Sequence, residues 1–126
     1  MLVYALPLTD TFGNLESWVK ELKDGVEAGT PIFVLGNKKD LVAERRVSLE
    51  EGEAFVTQNG LSGFYEVSAV TGENIPNAFT ALAAMMLDRA LDKLRKTQRR
   101  KKDAITIDKK RRDTAVDLKK EKKGCC

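Results

Sequence analysis

Four consecutive apolar residues, Ile32-Phe33-Val34-Leu35, stand between Pro31 and Gly36 with no polar residue among them. A strand with one wet face alternates polar and apolar side chains. An unbroken apolar run this short is instead a strand covered on both faces, which occurs in parallel sheets flanked by helices. The rest of the chain is compatible with that demand. Leu2-Val3-Tyr4-Ala5-Leu6 reads as a short buried strand, and Pro7 to Asp10 as a turn. Phe12, Leu15, Trp18, Val19 and Leu22 recur at helical spacing, with Asp10 or Thr11 as the cap and Gly25 and Gly29 ending the helix. Ser48-Leu49-Glu50-Glu51 has the form of a capping box that starts a second helix running to about Gln58. Phe64-Tyr65-Glu66-Val67 is a third strand. Asn74 caps a third helix with Pro76 in its first turn and a stripe of Ile75, Phe79, Leu82, Ala83, Met86, Ala90 and Leu94, and Met85 and Met86 read as core filling. Strand and helix alternate three times, which specifies an α/β fold with a parallel sheet and right-handed crossovers. A sheet of three strands is small, and its first strand is an apolar edge.

Charge divides the chain sharply. Residues 1–92 carry 7 Lys and Arg against 14 Asp and Glu, whereas residues 93–126 carry 15 against 5, so the net +3 conceals an acidic body of −7 and a basic tail of +10. We expect a domain over residues 1–94 and a basic tail over 95–126, disordered or weakly helical, that favours anionic surfaces. The tail ends in Gly124-Cys125-Cys126, the only two cysteines. Adjacent thiols this far from the folded segments cannot staple a core, and they suit attachment to lipid, to metal or to another chain. Two free cysteines fit a reducing compartment. The amino-terminal residues lack the basic region of a signal peptide, and no stretch reaches the ~20 apolar residues of a membrane span. Arg99-Arg100-Lys101-Lys102 and Lys109-Lys110-Arg111-Arg112 would attract nucleic acid, but the tail has no aromatic residue on which bases could stack, so no specific nucleic-acid partner is expected. No heptad persists long enough for a coiled coil.

Ligands of such sheets bind beyond the carboxyl ends of the strands. Two loops leave those ends with informative residues: Gly36-Asn37-Lys38-Lys39-Asp40 and Ser68-Ala69-Val70-Thr71-Gly72. A carboxylate there can accept two hydrogen bonds from a ring bearing adjacent N–H and NH₂ donors, an edge that guanine offers and adenine does not. An Asn amide can bridge neighbouring loops, and a Lys stem can lie along a base face. The competing reading is an ordinary charged surface loop, since Asn, Lys and Asp are common in loops.

Gly36-Asn37-Lys38-Lys39-Asp40 resembles the guanine-specificity motif of Ras-superfamily small GTPases, and Ser68-Ala69 resembles their second base-recognition motif, Ser-Ala-Lys. The two follow strands and are separated by one helix, as in the family. Leu2-Val3-Tyr4 with Thr11-Phe12, Asn14-Leu15 and Trp18, then Val47-Ser48, Gly60-Leu61 and Thr71-Gly72-Glu73-Asn74-Ile75 with Ala78-Phe79, are similar to the Rab branch. The resemblance covers about residues 1–94 and implies a three-layer P-loop GTPase fold reduced to its last three parallel strands and three helices. It implies that Asp40 accepts from the ring N–H and amino group of guanine, that Lys38 flanks base and ribose, and that Asn37 braces the loops. Ser68 would support Asp40, and the Ala69 N–H would meet the base carbonyl. Val70 stands where the family has Lys beside the base, and Ala5 replaces a usual Asp.

No Gly-x-x-x-x-Gly-Lys-Ser/Thr, Asp-x-x-Gly or Thr-bearing switch occurs in the sequence. In the family these precede the strand with which the chain begins. The expectation is therefore a fragment or incomplete gene model of a Rab-like GTPase of vesicle trafficking. GTP or GDP is the family's ligand, Mg²⁺ ligands and catalytic residues are absent here, and the whole protein hydrolyses GTP. The alternative is an inactive fragment acting at most as a tethered or interaction protein. Cys125 and Cys126 would receive geranylgeranyl groups, with an escort protein, the transferase and membrane lipids as partners. Two lipid chains suffice for stable anchoring, which would place the protein on the cytosolic face of an intracellular membrane, or in the cytoplasm if unmodified.

Overall fold

A computed structural model describes residues 1–123. Its elements run β1 (Leu2–Ala5), α1 (Thr9–Gly13), α2 (Leu15–Gly25), β2 (Phe33–Asn37), a 3₁₀ turn (Val42–Glu44), α3 (Leu49–Gln58), β3 (Gly63–Glu66) and α4 (Ile75–Lys123). The three strands form one parallel sheet in the order β1-β2-β3. Leu2 lies opposite Val34 and Ala5 opposite Asn37, while Phe33 lies opposite Gly63 and Gly36 opposite Glu66. The α/β architecture anticipated above, with three parallel strands and helices between them, is what forms.

β2 sits centrally, and Phe33, Val34, Leu35 and Gly36 are all buried, as an uninterrupted apolar run requires. One face of the sheet packs Leu2, Tyr4, Leu6 and Val34 against Leu15 and Val19 of α2 and Val56 of α3. Phe12 tilts between Tyr4 and Phe55 at ring distances of 5.0 and 5.5 Å. The opposite face packs Leu35 and Val67 against Ala78 of α4, with Tyr65 and Ile75 beside them. Gly52 lets α3 press onto β3, because a Cβ there would lie 2.4 Å from the Phe64 ring.

Ser48 starts α3 as expected: its hydroxyl accepts from the Glu51 N–H, and the Glu51 carboxylate accepts from the Ser48 N–H. Elsewhere the local expectations need correction. The first helix divides at Asn14, and neither Asp10 nor Thr11 caps it, since it begins at Thr9. Thr11 instead donates to the Leu8 carbonyl and accepts from the Ala5 N–H, which pins α1 to the end of β1. Trp18 is 55 % exposed, and Met85 and Met86 are also exposed rather than core, because the buried side of α4 is set by Ile75, Ala78 and Leu82. Asn74 precedes α4 in the left-handed region (φ 59°), and its amide donates to the Glu66 carbonyl rather than serving as a helix cap acceptor for a backbone N–H.

Compactness divides the chain into Met1–Leu87 and the residues from Asp88 onward. In the second unit the backbone stays helical to Lys123, where weak helix or disorder was expected. Residues 77–123 contain neither Gly nor Pro and are rich in Lys, Arg, Ala and Leu, all strong helix formers. Asp92 and Arg95 pair at 3.4 Å one turn apart.

Tyr4 is 2 % exposed, and among the described residues its hydroxyl has no hydrogen-bond partner. Burial, reinforced by the nearby Glu66 carboxylate, pushes its phenol well above the ordinary value of 10.0. The folded state therefore holds that proton more tightly than the unfolded chain. Its stabilising effect is complete below pH 10 and declines as pH rises above 10 toward the folded value. Tyr4→Phe is expected to match or exceed the parent at pH 7 by up to ~1 kcal/mol. Above pH 10 the variant should gain on the parent by at most about 1.4 kcal/mol per pH unit. Urea unfolding of both proteins at pH 7, 10 and 11 checks this, and parallel pH profiles would contradict it.

Candidate functional site

The carboxyl ends of β2 and β3 deliver two loops side by side. β2 ends at Asn37, and Lys38 then takes a left-handed backbone (φ 67°). A non-glycine residue in that region carries a cost of about 1–3 kcal/mol that its surroundings must offset. Here Asn37 Oδ1 accepts from the Lys38 N–H at 2.7 Å and from the Ala69 N–H at 3.1 Å. The same side chain thus stabilises the turn in its own loop and ties it to the loop after β3.

Three further bonds join the loops. Ser68, fully buried, donates through its hydroxyl to Asp40 Oδ1 at 2.5 Å and accepts from the Thr71 N–H at 3.2 Å. The Lys39 N–H donates to the Val67 carbonyl at 3.1 Å. Lys39 Nζ meets Glu73 Oε1 at 2.6 Å in a pair open to solvent, where such pairs contribute little. The backbone ladder continues beneath them, with the Val67 N–H donating to the Gly36 carbonyl at 2.8 Å. Gly36 suits this close approach, because a Cβ would lie 3.0 Å from both the Tyr4 hydroxyl and Leu6, which would have to give way slightly.

The six residues singled out from the sequence therefore stand together. Asn37, Lys38 and Asp40 come from one loop, and Ser68, Ala69 and Val70 from the other. Asp40 and Lys38 are exposed. An ionised carboxylate offers roughly four acceptor positions, so the Ser68 hydroxyl leaves Asp40 room to accept from a ligand. The Ala69 N–H is engaged by Asn37 rather than pointing unpaired outward. Val70 is 84 % exposed and adds apolar surface at the rim. Two hollows lie elsewhere among the described residues. One is lined by Lys23, Gly29 and Ile32, and another runs along α2 by Asn14, Lys20 and Asn59.

Sequence reasoning missed Arg45 and Glu66. Their side chains make two parallel hydrogen bonds of 2.6 and 2.7 Å beneath the loops. The Glu66 carboxylate holds the Arg45 guanidinium above its ordinary pKa. No local pattern signals this pair, because the partners lie far apart in the chain and meet only through the sheet. Among the described residues no group of three or more His, Cys, Asp or Glu side chains is placed to hold a metal ion. No described helix is long and apolar enough to cross a membrane. Cys125 and Cys126 lie outside the described residues.

The arrangement is a parallel α/β sheet with two hydrogen-bonded loops at its carboxyl end, the edge at which ligands of such sheets bind. Residues 1–88 match the Ras family. The chain is 36 % identical over 134 aligned positions to the Ras-related protein YPTC6 of Chlamydomonas reinhardtii, an alignment that covers all of this chain and 59 % of that protein. The chain belongs to the Ras family of small GTPases and is Rab-like within it. It spans about three fifths of the length of that relative. Guanine nucleotides with Mg²⁺ are the ligands of the family at large.

Ser68→Ala leaves the Asp40 oxygen and the Thr71 N–H without their shared partner. The expected loss is about 1–3 kcal/mol of unfolding free energy, given that Ser68 is fully buried. Chemical denaturation of the purified chain measures it, and an unchanged midpoint would show that the hydroxyl carries no such weight.

Proposed function

We propose that this chain carries the guanine-recognition part of a Rab-like small GTPase. The observation that carries this reading is the exposed Asp40 carboxylate held by buried Ser68, with Asn37 bridging to Ala69 across the two loops. Asp40 accepts from the ring N–H and the exocyclic amino group of the base, a charge-assisted bidentate contact that adenine cannot supply. The Lys38 stem lies along the base and ribose. Asn37 and Ser68 keep the carboxylate and the Ala69 N–H at a fixed separation, so little ordering remains to be done on binding. Ala69 is the donor for the base carbonyl, sharing its N–H between Asn37 and the ligand. Val70 supplies rim contact in place of a Lys stem.

In the whole protein these loops belong to a GTP- and GDP-binding domain that hydrolyses GTP with Mg²⁺ and serves vesicle trafficking. Residues 1–94 are the carboxyl-terminal part of that domain, and residues 95–126 are the basic tail. The tail leads to Cys125 and Cys126, which take geranylgeranyl groups from a transferase working with an escort protein. Two such chains together with a net +10 segment favour the anionic cytosolic face of an intracellular membrane.

A second reading concerns residues 1–126 as a polypeptide on their own. It is favoured by the lack of any Gly-x-x-x-x-Gly-Lys-Ser/Thr in the sequence. Backbone N–H groups and the lysine of that loop hold the phosphates, so base contacts alone bind weakly. This polypeptide then does not turn over GTP and acts at most as a tethered or interaction protein. Titration of fluorescent GDP into the monomeric chain should give a dissociation constant above 1 µM, and a sub-micromolar value would contradict that reading. The guanine reading has its own test. Asp40→Asn replaces an acceptor oxygen with an amide donor, so preference should move from guanosine to xanthosine monophosphate, whose ring carries a carbonyl in place of the amino group. Retention of guanine preference by the variant would overturn the assignment of Asp40.

A further inference from the structure

Arg45 and Glu66 occupy an unusual position. Arg45 follows the 3₁₀ turn in the segment that leads from Asp40 to α3, and Glu66 is the last residue of β3, just before Val67 and Ser68. The guanidinium donates from Nη1 to Oε1 at 2.6 Å and from Nη2 to Oε2 at 2.7 Å, and Nη1 also reaches the Val47 carbonyl at 3.3 Å. The Glu66 side chain is 9 % exposed and that of Arg45 29 %, so solvent screens this pair far less than the Lys39–Glu73 pair. A two-pronged guanidinium–carboxylate contact is also directional, fixing orientation as well as distance.

Each partner is tied further. The N–H groups of Arg46 and Val47 both donate to the Leu6 carbonyl, at 3.0 and 3.1 Å, so the segment bearing Arg45 is fastened to the chain leaving β1. The Glu66 carbonyl accepts from the Asn74 amide at 2.9 Å, which fastens the far end of the Ser68–Gly72 loop. Glu66 thereby holds the segment that follows the Asn37–Asp40 loop through its carboxylate, and the residue that follows the Ser68–Gly72 loop through its carbonyl. Neither residue belongs to the exposed edge formed by Lys38, Asp40 and Ala69.

We propose that Arg45 and Glu66 are positioning residues that clamp the two loops together and set the spacing of Asp40 and Ala69 before any ligand arrives. The functional consequence rests on the guanine reading above, whereas the clamp itself does not. Glu66→Gln keeps the shape but removes the charge, Arg45→Met removes the donors, and Arg45→Lys keeps one charge without the fork. Amide hydrogen exchange of the full chain without ligand reads the clamp directly. Exchange at Lys39 and Ala69 should rise about tenfold in Glu66→Gln and in Arg45→Met, less in Arg45→Lys, and no further in the Arg45→Met/Glu66→Gln double variant. Exchange at Val34 and Leu35, in the strand core, should stay within about twofold. Affinity for guanosine monophosphate should fall in the same order. Loop exchange that does not respond, or that rises in step with the strand core and a falling melting temperature, would overturn the clamp. If the loops respond but the parent protein binds no guanosine monophosphate, the clamp stands and the guanine reading fails.

Discussion

Everything at the site depends on β2 being a central strand. Parallel pairing to β1 and β3 satisfies its backbone on both edges, and apolar contacts on both faces bury Phe33 to Leu35. The strand cannot slip by one residue, because a slip would exchange the side chains assigned to the two packed faces. Its register therefore fixes where Asn37 emerges. The same register aligns Gly36 with Glu66, so Asn37 and Val67 leave the sheet as neighbours. Tyr4 and Leu6 pack closely enough that even a Cβ at position 36 would crowd them.

From that fixed end, a small number of polar contacts carries the organisation upward. Asn37 and Ser68 each use one side chain to reach both loops, and Asp40 is left exposed while anchored. Ser68 is buried within this network, so leaving its hydroxyl without partners is costly. The Arg45–Glu66 fork ties the segment after the first loop to the end of β3, and the same segment bonds Leu6 just beyond β1. On the proposed reading this arrangement serves recognition of a base edge, where direction matters.

Legibility from sequence followed the range of the interaction. β2 could be read because an unbroken apolar run has one structural meaning in this context, and the Ser48–Glu51 box because its partners lie three residues apart. The loops after β2 and β3 were legible because Asn37 to Asp40 and Ser68-Ala69 keep a recognisable order. The division at Asn14 was not, since helical periodicity continues across it from Phe12 to Leu15. Trp18 and Met86 fit the periodic stripes yet face solvent, because periodicity marks a side of a helix without saying that anything covers it. Asn74 read as a helix cap from its type and position, but its left-handed backbone turns its amide toward Glu66. Arg45 and Glu66 were invisible until the sheet brought them together.

The central claim is that the loops after β2 and β3 form one base-binding site. Titration of the ¹⁵N-labelled chain with guanosine monophosphate, followed by amide chemical shifts, tests it most directly. The account predicts that the largest changes fall on Lys38 to Asp40 and Ser68 to Val70, and that adenosine monophosphate at the same concentration leaves those amides in place. Equal responses to the two nucleotides, or changes centred on the hollow beside Lys23 and Gly29, would contradict it.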